Sequence, residues 1–208
     1  MRWKNNNYCI FTGNGFPSLL DHHLKNSIGD VNSSKKFNYL VICLDCDEDT
    51  VADRRQQVLD FINANNLHLE NETKLVIIVQ NKCFETWFLG NSKIFKSNPS
   101  SPLLKECINH YHVKNEDPEL MEKPDNFEQS TSIYHSIYLQ EILTERNVRY
   151  SKSNPQHVTE QPFLNELIKR NKKTNHLQSF KGFIDFCQEI KKEIKENDDK
   201  EQKPNFSK

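Results

Sequence analysis

The sequence predicts an α/β protein whose small, mostly parallel sheet is flanked by helices and followed by a helical C-terminal extension. Two apolar runs rich in β-branched residues, 38–45 and 75–79, are the predicted strands, and helical patterns lie before and after them. Apolar runs without polar alternation are typical of strands covered on both faces. Strands that alternate with helices favour parallel pairing through right-handed crossovers.

The chain is predicted to begin this pattern with a short strand at residues 8–11, Tyr-Cys-Ile-Phe. The sequence Gly13-Asn14-Gly15 predicts a turn after it. Pro17 suits the first turn of a helix, which is predicted from residue 17 to about residue 26. The second strand follows at 38–45.

A second helix is predicted after that strand, because Val51, Val58, Leu59 and Ile62 share one helical face. It should end before Asn65, and the third strand follows at 75–79. These elements make up a predicted α/β domain over residues 1–95.

Residues 96–196 contain no comparable strand and are predicted to form a helical extension packed on the α/β domain. Four apolar patterns at helical spacing support this prediction. They are Leu103, Leu104, Cys107, Ile108 and Tyr111; Ile133, Tyr134, Ile137, Tyr138 and Ile142; Phe163, Leu164, Leu167 and Ile168; and Phe180, Phe183, Ile184 and Cys187. We expect the last group to pack inward, and we expect the charged segment 197–208 to be a disordered tail.

The charge balance, the cysteines and the apolar runs of the sequence limit the classes of protein to which the chain can belong. The 208 residues include 28 basic and 29 acidic side chains, which gives no overall charge signature of nucleic-acid binding. Lys82 and Lys181 are the candidate contacts for substrate phosphates, although a solvated helical face also explains the basic residues around Lys181. Six scattered cysteines predict a cytoplasmic protein, and the longest apolar run, 74–80, is too short to span a membrane.

Three aspartates, Asp45, Asp47 and Asp49, stand at alternate positions where the second strand ends. Residues two apart on an extended strand share a face, so Asp45 and Asp47 are expected to converge at the carboxyl edge of the sheet, where α/β folds bind ligands. Crowded carboxylates repel one another unless a cation neutralises them, which predicts a metal site. The alternative is a helix start, in which acidic residues 47–49 cap the helix beginning near Thr50.

Glu85 follows the third predicted strand closely enough to lie at the same edge. Together with Asp45, Asp47 and Asp49 it would form the metal site, and Glu85, Asp45 and Asp47 are the candidate catalytic residues. Oxygen ligands of this kind suit Mg²⁺ or Mn²⁺, which would activate a water molecule.

The strand ending in Asp45-x-Asp47 and the later segment Cys83-Phe-Glu-x-Trp-x-Leu89 resemble the Toprim-like proteins of bacterial defence and mobile-element loci, especially the RloB-like group and its relatives of the OLD nuclease class. The resemblance covers roughly residues 8–95. It implies a Toprim fold that binds divalent metal, usually Mg²⁺, and a nuclease that acts on DNA or RNA in antiviral defence. It also implies that Asp45 and Asp47 are the Toprim aspartates and that Glu85 is the carboxylate of the second motif.

One position departs from this pattern. Toprim proteins usually carry a glutamate at the end of the first strand, and Thr12 stands in its place here. A threonine hydroxyl is a poor metal ligand and a poor general base at neutral pH. Either Glu85 supplies the missing function, or the chain binds without cutting.

Two alternatives to the nuclease therefore stay open. One is a non-catalytic Toprim-like subunit that binds or senses a partner such as a defence ATPase, which the loss of the glutamate favours. The other is a haloacid-dehalogenase-like phosphotransferase, in which Asp45 would be the nucleophile.

Overall fold

The computed structural model describes residues 8–201, and their centre is a two-stranded parallel sheet. The strands are β1, Tyr39–Asp45, and β2, Lys74–Gln80, paired so that Tyr39 lies opposite Lys74 and Asp45 opposite Gln80. Both strand ends therefore reach the same edge of the sheet. The structure is mixed α/β, as the sequence predicts.

Seven α-helices surround the sheet in the described part of the chain. A π-helical turn, Leu19–Leu24, leads into the first of them. They are α1 Lys25–Ser34, α2 Val51–Ala64, α3 Phe84–Phe88, α4 Pro102–His110, α5 Thr131–Thr144, α6 Gln161–Thr174 and α7 Gln178–Glu201. Single 3₁₀ turns lie at Ser92–Ile94, Pro118–Leu120 and Gln156–Val158.

One hydrophobic cluster packs on each face of the sheet, and the second of them contacts β2. On one face, Ile42 and Leu44 of β1 and Ile77 and Val79 of β2 pack with the buried side chains of α1 and α2, such as Val58. On the other face, Ile78 of β2 joins a larger cluster built from α3 to α7. Burial on both faces explains the continuous apolar run of β2. The same expectation is wrong for β1, because its Val41 and Cys43 are exposed and only its other face is buried.

The strand predicted at residues 8–11 is wrong. These residues form no regular structure, and Tyr8, Ile10 and Phe11 are 81%, 82% and 79% exposed. A run of four residues forms few ladder hydrogen bonds, and without burial of its side chains it does not offset the entropy of ordering. The chain bends at Gly15, which has a positive φ of 78°, and the turn itself lies at residues 16–17, just after the predicted position. The helix predicted to end near residue 26 continues to Ser34.

The helical half packs against the sheet through α7. Phe180 is buried and lies 5.4 Å, between ring centroids, from Trp87 of α3, while Phe183 stacks on the same indole at 5.7 Å. Cys187, expected to face inward, is exposed. The helix runs through Asn197 to Glu201, past the predicted start of the tail, and residues 202–208 lie outside the described part. No helix within residues 8–201 is long and apolar enough to cross a membrane.

Candidate active site

The turn that leaves β1 decides where the acidic side chains point. The strand ends at Asp45, Cys46 is buried, and Asp47 has a left-handed backbone with φ 53°. Its amide nitrogen donates to the Lys82 carbonyl at 2.9 Å, which ties this turn to the segment after β2. The expected strand geometry of Asp45 and Asp47 therefore does not hold, because the alternation of faces stops between them.

Arg54 of α2 contacts three residues of this turn. Its Nη2 lies 3.1 Å from Asp49 Oδ2 and 3.9 Å from Asp47 Oδ2, and it donates to the Cys46 carbonyl at 3.1 Å. The guanidinium also sits over the Phe16 ring, 3.9 Å from its centroid. Asp49 is thus neutralised by a buried arginine, a structural role that leaves it little capacity as a metal ligand.

The alternative interpretation, in which acidic residues 47–49 cap the helix after β1, is wrong in its residues: Thr50 supplies that cap, and Glu48 caps a different helix. Thr50 is the N-cap of α2 and accepts from the Asp53 amide at 3.1 Å. Glu48 reaches α5, where its carboxylate accepts from the Thr131 amide at 2.7 Å and from the Thr131 hydroxyl at 3.2 Å. A carboxylate at this position satisfies free amides and favours the helix dipole.

Glu85 lies in α3, just beyond the end of β2, and its side chain is fully buried. Its Oε1 accepts from the Tyr150 hydroxyl at 3.1 Å and lies 3.5 Å from the Ser136 hydroxyl. The Lys152 ammonium is 3.8 Å from the same oxygen. Its Oε2 is buried and has no hydrogen-bond partner among the described residues.

Asp45 is close enough to Glu85 for the two charges to interact. The pKa of Asp45 is raised to about 7, mainly by burial, with smaller contributions from the Asp47 and Glu85 carboxylates and with Lys152 opposing the rise. A hydrogen bond from the Phe84 amide also acts in the lowering direction. Near neutral pH, this carboxyl group is therefore divided between its neutral and charged forms.

The structure brings Asp45 and Glu85 together and disperses the rest of the predicted site. Asp47 stays at the mouth of the turn, where it accepts from the Ser132 hydroxyl at 3.2 Å. Within residues 8–201, no group of three or more His, Cys, Asp or Glu side chains is arranged as metal ligands. The geometry thus offers two protein carboxylates to a cation rather than four.

The lysines predicted to bind substrate are paired elsewhere. Lys82 forms an ion pair with Glu122 at 2.8 Å, and Lys181 pairs with Asp185 on its own helix. Lys152 is instead the cation nearest Glu85, and with Tyr150 it was not predicted. Both lie 65 or more residues from Glu85 in the chain, so no spacing pattern connects them to it.

Comparison with protein-family models, with curated proteins and with solved structures found no match to this chain.

Proposed function

We propose that the protein is a divalent-metal-dependent nuclease in which Asp45 and Glu85 hold the cation. The observation that carries this proposal is the free oxygen of Glu85: Oε2 is buried and unpaired beside a second carboxyl group. A buried polar atom without a partner is costly, and so is a pair of adjacent carboxylates. A bound cation removes both costs.

The donor set fits magnesium or manganese. Mg²⁺ is commonly held by one or two carboxylates, several waters and substrate phosphates rather than by a complete protein cage. When bound, the ion would supply an activated water and charge stabilisation for phosphodiester hydrolysis. The Toprim-like motifs, whose first aspartate and second-motif glutamate are these two residues, point to the same chemistry.

The surrounding residues have separate tasks. Tyr150 and Ser136 donate to Oε1 of Glu85 and so leave Oε2 as the oxygen available to a ligand. Lys152 has a side chain that is 71% exposed and lies beside the carboxylate pair. It is placed to contact a substrate phosphate, the role that the sequence assigned to Lys82 and Lys181.

A non-catalytic subunit is the second candidate, and one contact favours it. The Lys152 ammonium already gives Glu85 a counter-charge at 3.8 Å without any metal. In addition, Thr12, at the position of the usual glutamate, is exposed in a segment without regular structure. In this alternative Asp45 and Glu85 would bind a partner such as an ATPase and would take no part in hydrolysis.

The test is a cleavage panel of DNA and RNA, including tRNA, with Mg²⁺ and with Mn²⁺, run on the parent and on Glu85→Gln. Glu189→Gln, at an exposed position of α7, is the matched control. We expect metal-dependent cutting by the parent and the control and none by Glu85→Gln, with unchanged circular dichroism spectra.

Three outcomes separate the candidates. Cutting that is lost only in Glu85→Gln supports the nuclease. Cutting that survives in Glu85→Gln contradicts the role given to Glu85. If the parent binds metal but cuts no substrate under any condition, the nuclease proposal is wrong and the non-catalytic subunit is supported.

A further inference from the structure

A cavity of about 230 Å³ is lined by residues other than those around Asp45 and Glu85, the acidic pair of the candidate active site. It is formed by the segment after the 3₁₀ turn Ser92–Ile94, by α4 and by the residues that follow α4. Its lining includes the basic residues Lys96, Lys105, Lys114 and His112 together with the apolar side chains of Phe95 and Ile108. The Lys96 ammonium is tied to Glu145 at the end of α5, whereas the acidic pair adjoins Ser136 near the start of that helix.

The cavity carries an uncompensated positive charge. No Asp or Glu is among its lining residues. Lys105 and Lys114 are exposed, and within residues 8–201 neither has a carboxylate at ion-pair distance. Lys96 does pair with Glu145, at 3.1 Å. In a chain of net charge −1, two free lysines at one cavity are a local feature rather than a reflection of overall composition.

The carboxylate of Glu145 does not compete for these lysines, because its oxygens are already occupied. Oε1 accepts from the Ser100 and Ser101 amides at 2.7 and 2.5 Å. Oε2 accepts from Lys96. The remaining cations of the cavity are therefore available to an external anion.

His112, which also lines the cavity, has a ring nitrogen without a hydrogen-bond partner among the described residues. Its Nδ1 is buried and has no hydrogen-bond partner in the described part of the chain. The imidazole lies against Phe95, with ring centroids 5.9 Å apart. Buried polar atoms in proteins are rarely left unpaired, and those that are call for a ligand or a water.

We propose that this cavity binds a phosphate monoester. Lys105 and Lys114 would neutralise the phosphate, which suits compact ammonium groups that act as point charges. Phe95 and Ile108 form an apolar floor for the group that the phosphate carries, which favours a nucleotide over inorganic phosphate. The phosphate belongs either to a free nucleotide or to the 5′ end of a nucleic-acid strand. The proposal is independent of the nuclease proposal.

The test is calorimetric titration of the full chain with inorganic phosphate, with adenosine monophosphate, and with a short oligonucleotide carrying either a 5′-phosphate or a 5′-hydroxyl. The site variant is Lys105→Gln with Lys114→Gln. Its matched control is Lys172→Gln with Lys173→Gln, two exposed lysines of α6 that carry the same charge change.

We expect the monophosphate to bind more tightly than inorganic phosphate. Binding should weaken at least about tenfold in the site variant, the equivalent of about 1.4 kcal/mol, and not in the control. Tighter binding of the 5′-phosphorylated oligonucleotide than of adenosine monophosphate identifies a strand end as the ligand, and the reverse order identifies a free nucleotide. Equal weakening in both double variants, or no binding by any phosphate ligand at about 10 mM, overturns the proposal.

Discussion

Replacing Asp45 by asparagine should stabilise the protein in the absence of metal. The pKa of this carboxyl group is raised from 3.8 in an unfolded chain to about 7 in the fold. The unfolded chain therefore loses this proton first, and the folded state loses stability as pH rises from about 4 to 7. A shift of about 3 units corresponds to about 4 kcal/mol above pH 7. Asparagine keeps an acceptor for the Phe84 amide and never ionises.

Urea denaturation followed by circular dichroism at pH 5 and pH 8 measures this effect. Asp45→Asn should exceed the parent by several kcal/mol at pH 8 and by much less at pH 5. Asp30→Asn, at an exposed position of α1, is the control and should match the parent at both pH values. Added Mg²⁺ should raise the stability of the parent and leave Asp45→Asn unchanged, because only the parent offers the carboxylate pair.

An equal or lower stability of Asp45→Asn at pH 8 would refute this reasoning, because it would mean that the charge of Asp45 is compensated within the fold. A Mg²⁺ effect of the same size in both proteins would place any metal elsewhere.

Three further predictions concern stability. Burial lowers the pKa of His135 to about 4, so the free energy of unfolding should fall as pH drops from 6.5 to 4. Urea titrations should show a fall that is up to about 3 kcal/mol larger in the parent than in His135→Gln. The hydrogen bond from the Ser101 amide lowers the pKa of Glu145 to about 2, so the stability that this carboxylate contributes above about pH 4.5 should be lost toward pH 2. In that range the melting temperature of Glu145→Gln should depend less on pH than that of the parent. Ser179→Ala removes the acceptor of the Trp87 indole at 2.7 Å and should cost about 1–3 kcal/mol by urea denaturation, whereas an unchanged midpoint would show that this bond contributes nothing.

The elements that sequence reasoning located well are those whose burial pattern is local. Strand β1 was predicted at 38–45 and lies at Tyr39–Asp45, and α2 begins directly after its Thr50 cap. A strand with a buried face needs apolar residues at alternate positions, which Ile42 and Leu44 supply in β1, and a helix start needs a side chain that accepts from free amides. Both requirements are visible within a few residues. The prediction of the first strand failed because Tyr8, Ile10 and Phe11 stay about four-fifths exposed among the described residues, a tertiary outcome that their local sequence does not reveal.

The candidate site was predictable only at its strand ends. The positions of Asp45 and Glu85 follow from parallel pairing, which sends both strand ends to one edge. The left-handed backbone of Asp47 has no signal in its neighbours, and it breaks the alternation on which a cluster of three depends. The contacts of Glu85 with Tyr150 and Lys152 arise from tertiary packing, which spacing along the chain does not encode.

Two other buried glutamates show what is unusual about Glu85. Glu145 uses both of its oxygens, which accept from two amides, a hydroxyl and a lysine. Both oxygens of Glu119 accept from Ser179 at the start of α7. These carboxylates are structural, and the fold pairs them fully. Glu85 is buried more completely than either, yet one of its oxygens is unpaired and a second carboxyl group, Asp45, lies beside it. Because the fold pairs the oxygens of these structural carboxylates completely, the unpaired oxygen of Glu85 supports the proposal that a ligand binds there.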